Sequence, residues 1–203
     1  MEAVKVIAPE LAFDVRVTEL EEGSARTISL GDWDVIAFPL RHTVPCFGYQ
    51  AVVPRRGKFD PMRALEAGIP KQLWKRLQQG ETVEGFTPDM VLGPARRGVK
   101  LVYATDTRPA KALYKAAVDA DLLICEGMYG EPDKLPKAKE TCHMMFGEAA
   151  KTALCSGAKE LWLTHFSPSL NHPEDYLQSA QAIFPHTSLG KSGRKTVLQF
   201  PED

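Results

Sequence analysis

The stretch Val99-Lys100-Leu101-Val102-Tyr103-Ala104-Thr105-Asp106-Thr107-Arg108-Pro109 decides the fold. It is apolar, β-branched or aromatic for the length of a strand, then steps onto a carboxylate. Pro109 opens a helical pattern that runs to Ala120 and places Leu113, Ala116, Ala117 and Ala120 inward. The alternation continues downstream with a strand from Leu122 to Cys125 and a helix from Phe146 to Ser156 stopped by Gly157. A strand from Glu160 to Thr164, a helix from Pro173 to Phe184 and a last strand from Lys195 to Phe200 follow. Strands and helices in this order predict an α/β layered domain.

Upstream the pattern differs. Phe13 to Leu20, Ala25 to Leu30, Trp33 to Leu40 and Cys46 to Val53 read as strands, and the turn signals Glu22-Gly23 and Gly31-Asp32 suit a meander. Residues 54–98 are rich in proline, glycine and basic side chains. They carry one short amphipathic helix, Pro70 to Gln79, with Leu73, Trp74 and Leu77 on one face. This stretch reads as an arm-like insertion in a single domain spanning residues 1–203.

With 44% hydrophobic and 25% charged residues the composition is that of a globular protein. No apolar run approaches the roughly 20 residues a membrane span needs, and the start lacks a signal-peptide pattern. The four cysteines, Cys46, Cys125, Cys142 and Cys155, form no Cys-x-x-Cys pair and sit in or beside apolar segments. Reduced thiols and a cytoplasmic location are expected. The net charge of −1 is unevenly spread, because residues 51–100 hold ten basic against five acidic side chains. That surplus suits either a polyanion or a solvated charged face.

Three apolar runs end on a group able to bind a metal. His42 follows Trp33 to Leu40, Asp106 follows Leu101 to Thr105, and His165 follows Leu161 to Thr164. Open α/β sheets carry their chemistry at the carboxyl ends of strands, and two imidazoles with a carboxylate suit zinc or manganese. Taken singly, Asp106 serves equally as a helix N-cap and each histidine as a structural residue. Glu126 follows the strand Leu122 to Cys125, and His143 opens a helix. A histidine oriented by a carboxylate makes a general acid, while a capping histidine and a solvent-facing glutamate are the plainer alternative. His172 and His186 are assigned to structure.

Four segments together resemble the ribonuclease Z family, tRNA 3′-processing endoribonucleases of the metallo-β-lactamase superfamily. They are Pro39-Leu40-Arg41-His42-Thr43-Val44-Pro45-Cys46-Phe47-Gly48-Tyr49, Ala104-Thr105-Asp106-Thr107-Arg108-Pro109, Ala120-Asp121-Leu122-Leu123-Ile124-Cys125-Glu126 and Leu163-Thr164-His165-Phe166-Ser167. The resemblance extends from about Val6 to Phe200. It implies an α/β fold of the metallo-β-lactamase type, an αββα sandwich. It also implies hydrolysis of a phosphodiester in tRNA precursors by a metal-bound hydroxide. His42 and His165 then correspond to ligands on different metals and Asp106 to the bridging carboxylate. The cofactor would be two Zn2+ per complete site, with Mn2+ or Fe as substitutes. His143 and Glu126 correspond to the pair that protonates the leaving group. The basic stretch corresponds to a tRNA-binding arm, with Arg55, Arg56, Lys58, Lys71, Lys75 and Arg76 as phosphate contacts.

The family's His-x-His-x-Asp-His motif is absent, and no His-x-His occurs in the chain. The sequence therefore reads as an incomplete sandwich lacking an N-terminal half, able to bind zinc only weakly and to cleave RNA poorly by itself. Its expected partners are a tRNA precursor and either a second copy in a homodimer or the missing half. Two other readings stay open: a non-catalytic RNA- or protein-binding remnant, and a hydrolase of small esters or phosphodiesters.

Overall fold

Gly31, at a φ of +65°, turns the chain between the first two strands, so that Leu30 pairs with Trp33 across a two-residue hairpin. The structure, a computed structural model, describes residues 17–202. Among the described residues seven strands form one sheet in sequential order: β1 (Arg26–Leu30), β2 (Trp33–Pro39), β3 (Phe47–Arg55), β4 (Arg96–Ala104), β5 (Leu122–Glu126), β6 (Leu161–Thr164) and β7 (Thr187–Leu189). β1 to β3 pair antiparallel as the expected meander, β4 adds to it antiparallel, and β4 to β7 pair parallel. The expected strand Phe13 to Leu20 falls partly outside the described residues, and Val17 to Leu20 form no strand.

The parallel half needs crossovers, which helices supply. The helices are α1 (Pro61–Glu66), α2 (Trp74–Gln78), α3 (Lys111–Ala117), α4 (Leu135–Glu140), α5 (Phe146–Ser156) and α6 (Glu174–Gln181). Alternate strand residues Val102, Ala104, Leu123, Cys125, Leu161 and Leu163 bury against α3, α5 and α6 in the main core. The small side chains Ala116, Ala117, Ala149, Ala150 and Ala153 let these helices lie close to the sheet. α5 ends where its sequence says it should, with Gly157 left-handed at φ +68°.

Asp121 ties the starts of three strands together. Its carboxylate accepts from the Lys100 amide at 2.8 Å and pairs with Arg97 at 3.0 Å and Lys159 at 2.9 Å. Burial opposes the charge, but Lys159, the Lys100 amide and Arg97 outweigh it and hold the carboxyl below its ordinary 3.8. Asp121→Asn is expected to cost about 1–3 kcal/mol at neutral pH. A depressed folded-state pKa means the wild-type advantage is complete above about pH 4 and fades as pH falls through the folded value. Urea unfolding of both proteins at pH 7 and pH 3 checks this, and an equal gap at both would refute it.

The opposite face of the sheet is apolar and only partly covered. Trp33, Ala51, Val53, Val99 and Leu101 line a groove of about 590 Å³ together with Leu198 and Phe200. Trp33, Tyr49 and Tyr103 remain 53%, 42% and 41% exposed. The expected last strand, Lys195 to Phe200, does not form; this segment crosses the outer face without joining the sheet. Arg55 holds it there, donating to the Pro201 carbonyl at 2.6 Å with its guanidinium 5.2 Å from the Phe200 ring centre. Arg194 stacks 3.9 Å over Trp162, whose indole N–H finds no acceptor among the described residues.

Residues 54–98 build a small core of their own. Ala64, Ile69, Leu73, Leu77, Val83 and Val91 pack together, flanked by Phe59, Trp74 and Phe86. Leu73, Trp74 and Leu77 do share a face, though the expected helix splits into a 3-10 turn at Lys71–Leu73 followed by α2. The Asp60 carboxylate caps α1 through the amides of Met62 and Arg63. At the neck Gly57 approaches Gly93 so closely that a Cβ would lie 1.9 Å from its carbonyl oxygen.

Candidate active site and metal centre

β2, β4, β5 and β6 each deliver one site residue just beyond or at their end: His42, Asp106, Glu126 and His165. The loop before α5 adds His143. The five side chains meet. His143 lies between the other two imidazoles, its ring centre 5.0 Å from His42 and 5.4 Å from His165. His165 Nε2 is 3.5 Å from Asp106 Oδ1. Two trios, His42 with Asp106 and His143, and Glu126 with His143 and His165, each offer ligand atoms within 4.8 Å of one another. Nitrogen and carboxylate donors in such sets fit a borderline divalent metal.

Second contacts fix the rings. His42 Nδ1 is 3.3 Å from the Cys142 carbonyl, which assigns the proton to Nδ1 and leaves Nε2 as a ligand atom. His165 is less settled: its Nδ1 is buried with no partner among the described residues. The backbone is forced at three places here, since Asp106, Cys142 and His165 all have positive φ, between +55° and +60°. Left-handed residues without a glycine's freedom gather where geometry serves function.

Glu126 is fully buried and accepts from the Thr107 amide, from the Met144 amide at 3.1 Å and from His143 Nδ1 at 3.0 Å. Burial pushes its carboxyl up to about 7, against the pull of those two amides. Burial and the neighbouring His42 push the His143 imidazole down. Both shifts favour the neutral form of the group, and the hydrogen bond joins the two side chains. Glu126 holds one ring nitrogen of His143, so Nε2 is the atom that can deliver a proton.

The six basic residues expected to contact RNA fall into two groups. Arg56, Lys58, Lys71, Lys75 and Arg76 are exposed on or beside the arm, with Arg76 paired to Glu81 at 2.7 Å and Lys71 5.9 Å from the Trp74 ring centre. Arg55 faces the outer side of the sheet and grips the C-terminal segment instead. Sequence reading missed Arg108 and Glu148. Arg108 donates to the His143 carbonyl and forms a two-pronged pair with Glu148. Glu148 also accepts from the Met145 amide at 3.0 Å, and a glutamate three residues after a helix cap was the available signal.

One sheet covered by helices on one face, with candidate ligands at its strand ends, is similar in fold to metallo-β-lactamase proteins. The metallo-β-lactamase fold protein YhfI of Bacillus subtilis superposes with a TM-score of 0.54 at 20% identity, over 83% of this chain and 51% of that one. A diphosphatase of the PhnP family does so with a TM-score of 0.54 at 15% identity, over 98% and 55%. No protein-family model matches the chain. Its sequence is 46% identical to the ribonuclease Z of Lachnoclostridium phytofermentans and 47% identical to that of Agathobacter rectalis, each over 99% of this chain and 67% of the relative. The chain belongs to the ribonuclease Z family. It spans about two thirds of the length of these relatives.

Proposed function

We propose that the chain acts as a metal-dependent endoribonuclease that removes 3′ extensions from tRNA precursors. The observation that carries this is the meeting of His42, Asp106, Glu126, His143 and His165 at one sheet edge of a ribonuclease Z relative. His42, Asp106 and His165 would hold the metal, with zinc favoured by the donors and manganese or iron as substitutes. When bound, the metal supplies Lewis acidity at the phosphate and lowers the pKa of water. Water would add to phosphorus and release one proton to solvent, and the bond to the 3′ ribose oxygen would break with the phosphate leaving on the trailer. His143 Nε2 would hand that oxygen a proton while Glu126 holds the ring. The tRNA then ends in a 3′-hydroxyl.

Lys58, Lys71, Lys75 and Arg76 on the arm, with Arg56 beside it, are the proposed phosphate contacts. Lys71→Glu with Lys75→Glu is expected to weaken binding of tRNA precursor and to lower the slope of log affinity on log salt by about 1 for each phosphate no longer neutralised. An unchanged slope in filter binding would remove the arm from the interface. Cytoplasmic location is proposed on the four unpaired cysteines. Among the described residues no helix is long and apolar enough to cross a membrane.

The exposed apolar face with Trp33, Tyr49 and Tyr103 supports a partner there: a second copy of the chain, or the remaining third of the relatives' length. The test is cleavage of a tRNA precursor by the chain, alone and mixed with that remaining third of the Lachnoclostridium protein. Weak or no cleavage alone, and cleavage abolished by chelator in the mixture, is the expected result. The absence of His-x-His favours a second reading, a non-catalytic binding remnant, which predicts RNA binding without cleavage in either preparation.

A further inference from the structure

Thr107 and Arg108 touch every loop of the site except the one bearing His165. The Thr107 hydroxyl accepts from the Arg41 amide at 3.1 Å, and the Arg108 amide donates to the Arg41 carbonyl at 2.9 Å, fixing the approach to His42. The Thr107 amide donates to Glu126. The Arg108 side chain, 11% exposed, reaches across to the third loop, where it donates to the His143 carbonyl and closes a fork on both Glu148 oxygens, one at 2.7 Å. Glu148 in turn takes the Met145 amide at the start of α5. His143 is flanked in the loop by Cys142, left-handed at φ +60°, and Met144, whose amide donates to Glu126.

We propose that Arg108 and Glu148 are a positioning pair for the leaving-group proton donor. The inference rests on the reading of His143 as that donor. The segment Cys142 to Met145 lies outside the helices and strands and holds a left-handed residue. The Ala138 carbonyl accepts from the His143 amide at 2.8 Å, the Met128 amide donates to the Met144 carbonyl at 2.9 Å, and Arg108 adds a clamp on the His143 carbonyl itself. A planar guanidinium that binds a carbonyl and a carboxylate together fixes that segment more narrowly than a point charge does. With the backbone of His143 pinned, its ring stays on Glu126 rather than swinging towards His42 or His165. Neither Arg108 nor Glu148 would touch the phosphodiester; each acts through the position of His143.

Amide hydrogen exchange on the chain itself tests the positioning without any catalysis. In Arg108→Gln the amides of Met144 and Met145 should exchange at least about tenfold faster, while Leu123 and Leu163 in the central strands keep their protection. Glu148→Gln should do the same, and supplies the comparison if the first variant folds poorly. Arg108→Lys should recover only part of the protection, and the exchanged pair Arg108→Glu with Glu148→Arg more than either single change. In a preparation that cleaves tRNA precursor, the ratio of RNA cleavage to hydrolysis of an aryl phosphodiester should fall about 10- to 100-fold. The aryl leaving group needs no proton, so damage to the fold at large would slow both rates and leave the ratio alone. Unchanged exchange at Met144, or equal loss of protection at Leu123 and Leu163, overturns the proposal. A wild-type chain that cleaves no RNA even when mixed with the remaining third of the Lachnoclostridium protein overturns the functional reading instead, and the exchange result still decides the positioning.

Discussion

His143→Ala is expected to slow cleavage of a tRNA precursor by about 10²- to 10⁴-fold, the range spanned by well-placed general acids. The expectation comes from three features of one side chain. Its Nδ1 is engaged by Glu126 at 3.0 Å, its ring lies between His42 and His165, and it is only 12% exposed. Removing it takes away a proton source that bulk water replaces poorly. The same ring belongs to both candidate metal trios, so the zinc content of the variant must be measured beside the rate. Zinc content equal to wild type with a large loss on RNA identifies a proton donor. Zinc lost in step with activity would make His143 a ligand and move the donor elsewhere.

The largest effect on stability is expected from Phe146→Ala, at about 3–5 kcal/mol. Phe146 is 1% exposed, opens α5, and lies with its ring centre 5.7 Å from that of Phe166. A Cβ on Gly127 would come within 2.9 Å of its ring, so the space around it is filled on the side of β5. Phe146 follows His143 by three residues, and Phe166 is next to His165. The cavity would open in the main core beside Phe166. Since a domain of ordinary stability has only about 5–15 kcal/mol in hand, urea unfolding should show a large fall in midpoint. A loss under about 1 kcal/mol would mean that the cluster collapses around the gap and contributes little.

Much of this arrangement is legible in the sequence because it depends on short-range pattern. Helix α5 has its bounds from Phe146 to Ser156 with Gly157 beyond, as periodicity and a terminal glycine dictate. The meander pairs across Gly31-Asp32, and the strand ends deliver His42, Asp106, Glu126 and His165 where apolar runs stop. Less legible were elements whose reason is tertiary. α1 and α4 are six residues each, too short for a period to declare itself, and α4 carries Pro136 in its first turn. β7 is three residues and is defined by pairing with β6. The run Lys195 to Phe200 has strand composition, yet its apolar side chains find the outer face of the sheet instead of a pairing edge.

The site shows the same division. Residue type and strand-end position select the histidines and carboxylates, but nothing local pairs Arg108 with Glu148 forty positions away. Arg55 illustrates the converse. Charge alone grouped it with the arm, whereas strand alternation sets it on the side of Ala51 and Val53, where Phe200 and Pro201 meet it.

The left-handed backbone at Asp106, Cys142 and His165 sets catalysis and robustness against each other. Holding an ordinary L-residue in that region costs roughly 1 kcal/mol or more, a burden a glycine would not carry. At Cys142 the carbonyl faces His42 while the thiol makes one long contact to the Lys139 carbonyl, so a glycine there would relax the backbone and keep the acceptor. At Asp106 and His165 the side chains themselves face each other, and the same relief would strip the edge of its ligands. Selection for heat tolerance alone would thus drift first through position 142, and would disarm the protein if it went on to the other two.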